Sequence, residues 1–194
     1  YLIRHGVTGW NKKKKYCGYI DVPLSKEGTE QARKLARRIK SVKIDAVYSS
    51  NLKRAMRTAQ IVFGKTRKIH VIPDLQEINF GVLEGLNHDE ILKKYGVIYT
   101  KWLHDPYKNH IPKGENINSF QKRVTNAINK IAAANRGKTV AAVCHGGTIS
   151  VFVTGILKKK DFWKYVPHST SVTVVEYKNR KPGIKLFNCT HHLA

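Results

Sequence analysis

Two histidines, each closing an apolar run and each followed by glycine, are the residues best placed to do chemistry in this chain. The first lies in Tyr1-Leu2-Ile3-Arg4-His5-Gly6 and the second in Thr139-Val140-Ala141-Ala142-Val143-Cys144-His145-Gly146-Gly147. Short apolar runs of this kind read as buried strands, and ligands bind outside the carboxyl ends of parallel strands. Two such ends side by side would bring both imidazoles to one spot. Arg4 is a cation, Thr8 and Asn11 add a hydroxyl and an amide, and Gly6 and Gly9 let backbone approach a ligand closely. That combination suits an anion, and phosphate is the expected ligand.

The stretch Leu2-Ile3-Arg4-His5-Gly6-Val7-Thr8-Gly9-Trp10-Asn11 resembles the opening signature of the histidine phosphatase superfamily, the phosphoglycerate-mutase-like phosphatases. Further blocks resemble the same family in the same order. They are Tyr16-Cys17-Gly18 through Asp21-Val22-Pro23-Leu24-Ser25, Ser49-Ser50-Asn51-Leu52-Lys53-Arg54-Ala55, and Leu75-Gln76-Glu77 through Phe80-Gly81 and Glu84-Gly85. Pro112 through Gly114-Glu115 to Arg123-Val124 and Cys144-His145-Gly146-Gly147 complete the set. The resemblance covers nearly the whole chain and is strongest toward the α-ribazole and broad-specificity phosphatase branch.

The resemblance implies specific roles. His5 would be the nucleophile, attacking phosphorus through one ring nitrogen while a backbone carbonyl holds the other. His145 would stabilise charge on the transferring oxygens. Arg4, Asn11, Arg54 and the amides near Gly146 would cradle the phosphate, with Thr8, Cys17 and Gly18 around it, and no metal or other cofactor is implied. Glu77 matches the family's general acid; Glu84 is the nearest competitor, in a motif that reads as structural. Cys17 stands where related phosphatases often carry glutamine, and His168 or Ser169 where they often carry asparagine.

Those groups need a scaffold. Apolar residues at helical spacing predict helices around Ala32, Leu35, Ala36 and Ile39; around Ala55, Ala59, Val62 and Phe63; around Ile117, Phe120, Val124, Ile128 and Ile131; and around Ile149, Phe152, Val153, Ile156 and Leu157. The last would aim its amino terminus at His145, and Arg54 would sit in the first turn of the second. Strands are predicted at Leu2 to Arg4, Ala46 to Ser49, Ile69 to Ile72, Thr139 to Val143, Val172 to Tyr177 and Ile184 to Phe187, with Asn179 to Gly183 as a turn. Alternating strands and amphipathic helices argue for an α/β fold, a three-layer α/β/α sandwich around a mostly parallel sheet with an antiparallel edge. The resemblance implies the same architecture.

At 194 residues the chain suits one domain, 1–194, with a short cap insertion around 84–115. Tyr1 already lies in a predicted strand, so a native amino terminus is expected to precede it. No stretch reaches the roughly 20 apolar residues that cross a bilayer, and Cys17, Cys144 and Cys189 lack disulfide or zinc spacing, so a cytoplasmic location is the simplest expectation. Cys144 reads as a small buried strand residue, and the tail histidines His191 and His192 as exposed residues without partners.

Lysine and arginine total 36 against 13 acids, a formal charge of +23. Such a field draws anions and favours loose, non-specific binding to nucleic acid. Lys12 to Lys15 directly follow the Arg-His-Gly turn and read either as lining the pocket mouth or as an ordinary solvated run; Lys158 to Lys160 read as a solvated helix end. A polyanion-binding module is therefore one alternative, although Trp10, Trp102 and Trp163 are scattered in the sequence. A phosphoglycerate mutase is another. Between Glu84 and Glu115 there is no arginine to hold a second anionic group, which favours hydrolysis of a small phosphorylated substrate.

Overall fold

A computed structural model describes residues 1–194. The elements run β1 (Leu2–Arg4), α1 (Gly9–Lys12), α2 (Lys26–Ile39), β2 (Ala46–Ser49), α3 (Lys53–Phe63), β3 (Ile69–Val71), α4 (His88–His104), α5 (Ile117–Ala134), β4 (Val140–Cys144), α6 (Gly146–Leu157), β5 (Val172–Lys178) and β6 (Lys181–Cys189). The six strands form one sheet in the order β3-β2-β4-β1-β5-β6. β3, β2, β4 and β1 are parallel, while at one side β5 runs antiparallel to β1 and β6 antiparallel to β5.

The alternation of side chains along each strand builds the layers. Ile3, Val47, Ala141 and Val143 pack with Ala32, Leu35 and Ile39 of α2 and with Ala55, Ala59 and Val62 of α3. Leu2, Ala142 and Cys144 point the other way, into a larger core with Phe120, Val124 and Ile128 of α5 and Ile149 and Phe152 of α6. Fully burying one Leu or Ile is worth about 1.5–3 kcal/mol, and a one-residue slip of β1 would exchange its inner residues between the two cores. The sandwich is three-layered, as expected, and no helix is long and apolar enough to cross a membrane.

Several elements differ from the sequence expectation. β6 starts three residues earlier than predicted, so that Pro182 and Gly183 lie inside a strand. Pro182 is tolerated because β6 is the edge strand, with a free side facing away from β5. Helix α4 was not anticipated. It buries only Ile91, Tyr99 and Trp102, leaves Leu92, Val97 and Ile98 exposed, and loses helical geometry at Tyr95, so its apolar residues never settle into one stripe. Asn87 and Glu90 nevertheless form a reciprocal cap at its start.

The tryptophans that are scattered in sequence are partly gathered in space. Trp102 and Trp163 pack edge to face at 5.0 Å, within a cluster that also holds Tyr16, Phe80 and Tyr99. The Tyr16 and Tyr99 hydroxyls lie 2.9 Å apart, and His88 Nδ1 is 3.0 Å from the latter. This cluster fastens α4 to the chain after α1; Trp102, Tyr99 and Phe80 are buried in it, while Trp163 closes it from the exposed side. The tail also departs from expectation. The turn His191–Leu193 docks on α2, and His192 meets Arg38 at 3.4 Å and the Thr170 hydroxyl at 3.2 Å.

Candidate active site

The register of β1 and β4 brings the two histidines together. Arg4 lies beside Cys144 in the parallel ladder, and the next residues, His5 and His145, emerge side by side. The His5 amide donates to the Cys144 carbonyl at 3.0 Å, and the imidazole centroids are 5.1 Å apart at 61°. Both rings are buried.

His5 Nδ1 is 2.7 Å from the Gly6 carbonyl oxygen. A carbonyl only accepts, so Nδ1 carries the ring proton and Nε2 keeps its lone pair. Burial, followed by the charges of Arg54 and Arg4, holds His5 well below the ordinary imidazole value, so the ring is neutral. Burial and Arg54 do the same for His145.

The cations sit on the same sheet edge. Arg54, in the first turn of α3, is fully buried. Its guanidinium donates to the carbonyls of Gly18 at 2.6 Å, Ile20 at 3.1 Å and Cys17 at 3.4 Å. Arg4 donates through Nη1 to the Pro167 carbonyl. Arg4 Nε, Arg54 Nε and His145 Nδ1 are nevertheless buried without a hydrogen-bond partner. An unsatisfied buried polar group costs about 1–3 kcal/mol, and here three such groups belong to neighbouring residues at one sheet edge.

Glu77 reaches this pocket from the loop after the short turn Pro73–Leu75. Its Oε2 accepts the Gly147 amide at 2.9 Å and its Oε1 the Ile78 amide at 2.9 Å. Burial raises its pKa, and this outweighs the two amides and the nearby Arg54 and Arg4, all of which favour the charged form. The His-Gly-Gly sequence makes this packing possible. A Cβ on Gly147 would lie 2.3 Å from Glu77 Oε1, and one on Gly146 would lie 3.2 Å from the Arg4 guanidinium carbon. The two glycines let a carboxyl and a guanidinium close on the amino terminus of α6, where the helix dipole favours an anion.

The remaining expected site residues take more limited positions. Thr8 caps α1: its hydroxyl accepts the Asn11 amide at 3.1 Å and donates to Asn11 Oδ1 at 3.0 Å. Asn11 Oδ1 also accepts the Thr8 amide, so that the side-chain NH2 takes no part in the cap. Cys17 and Gly18 meet Arg54 through their carbonyls, and burial pushes the Cys17 thiol up to about 11. Cys144 is fully buried and pushed up to about 12, as befits a core residue. Glu84 is structural: it accepts the amides of Tyr19, Ile20 and Phe80 at 2.7, 2.8 and 3.2 Å. In the lysine run, Lys12 pairs with Glu27 at 2.6 Å and Lys15 lies 3.8 Å from Glu90.

Two residues escaped the sequence reading as site components. Ser50 Oγ lies 2.9 Å from His145 Nε2. Arg123 grips Glu115 through two nitrogens at 2.8 and 2.7 Å and donates to the carbonyls of Asp74, Gln76 and Glu77. Both stand in the quoted blocks, so the family wording contained them, but neither type nor spacing singled them out.

The family model for the histidine phosphatase superfamily (branch 1) matches residues 1–190. The chain belongs to that superfamily. Among its relatives, this histidine phosphatase is 38% identical over 152 residues to phosphoglycerate mutase-like protein 4 of Arabidopsis thaliana, covering 76% of this chain and 66% of that one, just under two thirds. It is 31% identical to the adenosylcobalamin/alpha-ribazole phosphatase of Escherichia coli, over 81% of this chain and 78% of the relative. A phosphoserine phosphatase mutant from Entamoeba histolytica, solved in complex with phosphoserine, superimposes with a TM-score of 0.90 at 31% identity, covering 100% of this chain and 98% of that one.

Proposed function

We propose that this histidine phosphatase hydrolyses a small phosphate monoester through a phosphohistidine on His5. The carrying observation is the pair of unpartnered buried donors, Arg4 Nε and Arg54 Nε, together with the unpartnered His145 Nδ1, all on residues around the imidazole of His5, whose Nε2 keeps its lone pair. A phosphate dianion satisfies those donors, and the two guanidinium charges offset its repulsion of a nucleophile.

In this reading His5 Nε2 attacks phosphorus as the ester P–O bond breaks, and the leaving alkoxide takes the Glu77 proton. Water then gives a proton to the Glu77 carboxylate and attacks the same phosphorus. The N–P bond breaks, phosphate leaves, and both residues return to their starting forms. Asn11 and the Gly146 amide complete the cradle, while Thr8, Cys17 and Gly18 shape its wall. Residues 84–115, built around α4, serve as the cap of a single domain, and the substrate is a small phosphorylated molecule of the α-ribazole phosphate, phosphoserine or sugar phosphate kind. The relatives' names support both the first two substrates and the reaction class.

Phosphate release from a panel of α-ribazole phosphate, phosphoserine, 3-phosphoglycerate, sugar phosphates and nucleotides, with chelator present and His5→Ala as control, tests the reading. Release that resists chelator and vanishes in the control is expected. Isomerisation of a phosphoglycerate without release would make the protein a mutase. Turnover retained by His5→Ala would overturn the covalent route.

A further inference from the structure

His145 has one ring nitrogen against Ser50 and the other buried without a hydrogen-bond partner. Ser50 follows β2 and is completely buried and held on several sides. Its amide donates to the Val143 carbonyl at 3.0 Å, its carbonyl accepts the Ser49 hydroxyl at 2.8 Å, and its Oγ accepts the Leu52 amide at 3.3 Å. A hydroxyl has one proton to give and two lone pairs. The Leu52 amide takes one lone pair, and the acceptor within reach of the proton is His145 Nε2.

We propose that Ser50 is a positioning residue that sets the tautomer of His145: its hydroxyl donates to Nε2, so the ring proton sits on Nδ1 and points at the phosphate. The inference rests on the reading of this pocket as a phosphate site. The two neighbouring imidazoles then hold the same Nδ1–H tautomer but use it for opposite tasks, because each has a different nitrogen taken by its partner. Gly6 places the proton of His5 on Nδ1 and frees Nε2 to attack; Ser50 keeps Nε2 of His145 as an acceptor and makes Nδ1 a donor. In the reverse tautomer Nδ1 of His145 would present a lone pair to an anion and repel it.

Ser50→Ala removes the constraint and leaves His5 in place. The expected loss is about 10- to 100-fold in kcat, the range seen when a partner that orients a functional histidine is removed, with little change in KM. Ser50→Thr keeps the hydroxyl and should recover most of the rate. Nitrogen-15 spectra of the wild-type protein read the tautomer directly, before and after adding inorganic phosphate. A protonated Nδ1 and a bare Nε2 on His145 are expected in the wild type, and a mixture in Ser50→Ala. A proton on Nε2 in the wild type, or Ser50→Ala turning over at the wild-type rate, would overturn the proposal even if His5→Ala is dead. An inactive wild type would instead count against the phosphatase reading, while the tautomer stayed measurable.

Discussion

The floor of the pocket and its outer wall are built on opposite terms. The floor consists of the ends of β1 and β4 with the first turns of α3 and α6, where His5, His145, Arg54 and Glu77 are all buried and most of their polar atoms are fixed by backbone groups. The wall, on the proposal that residues 84–115 serve as a cap, includes α4, which breaks its helical geometry at Tyr95 and leaves Val97 72% exposed. Groups fixed by backbone in a dry pocket keep their geometry and their shifted pKa values. A helix held by one aromatic cluster tolerates change. In the proposed reading the chemistry resides in the floor, and the choice of leaving group is left to the wall.

The sharpest break in the floor is His5→Ala, which should reduce turnover to background and prevent any burst of covalent phosphoenzyme in rapid-quench experiments. Next come changes at the acid. Glu77→Gln should lower kcat by about 10²–10⁴-fold, the usual worth of a positioned proton donor. Gly147→Ala should approach the same loss without touching the carboxyl itself, because the new Cβ would displace Glu77. Their pH profiles should differ from wild type in one respect. In the proposed mechanism the first step needs Glu77 protonated, so wild-type single-turnover phosphorylation should fall as pH rises through its raised pKa, and Glu77→Gln should lack that limb. A normal rate for Gly147→Ala would show that the acid is less tightly placed than the floor description requires.

Arg123 tests how far the floor extends. It ties Glu115 to three carbonyls of the Glu77 loop, and Arg123→Ala should cost about 2–3 kcal/mol of stability through the carbonyls and partly buried carboxylate it leaves unpaired. Urea titration checks this figure. It should also lower kcat more than KM, because it loosens the loop that carries the acid.

Most of the floor was legible in the sequence because its signals are local. Arg4-His5-Gly6 and His145-Gly146-Gly147 each combine a strand end, a reactive ring and small residues, and α2 shows a clean apolar stripe capped by Ser25. The wall was poorly legible. The apolar residues of α4 face both the core and solvent, and its stability depends on Tyr16, Phe80 and Trp163, which are distant in the chain. The links within the site were also hidden: only the folded arrangement places Ser50 against His145, or turns the carbonyls of Cys17, Gly18 and Ile20 toward Arg54.

The floor's neutral histidines have a cost in acid. His5 and His145 are both held well below the ordinary imidazole value, so the unfolded chain takes up protons that the folded chain refuses. Stability from these rings is present above the unfolded value of about 6.5 and is lost as pH falls below it, until the native rings themselves protonate. Urea midpoints at pH 7 and pH 5 should show the drop. His145→Asn should reduce it, and saturating inorganic phosphate should offset it by binding the folded state.

The smallest effect is expected on the wall. Val97 lies two residues beyond the break in α4 and packs little of its surface against the protein, so Val97→Asp should stay within about 0.5 kcal/mol of wild type. Turnover of a small aryl phosphate, whose leaving group hardly reaches past the floor, should also be unchanged. If the same variant alters kcat/KM for the preferred natural ester, this exposed position contributes to substrate choice and α4 closes over the leaving group. If aryl phosphate hydrolysis falls as well, the wall reaches the chemistry, and floor and wall cannot be treated as separate parts.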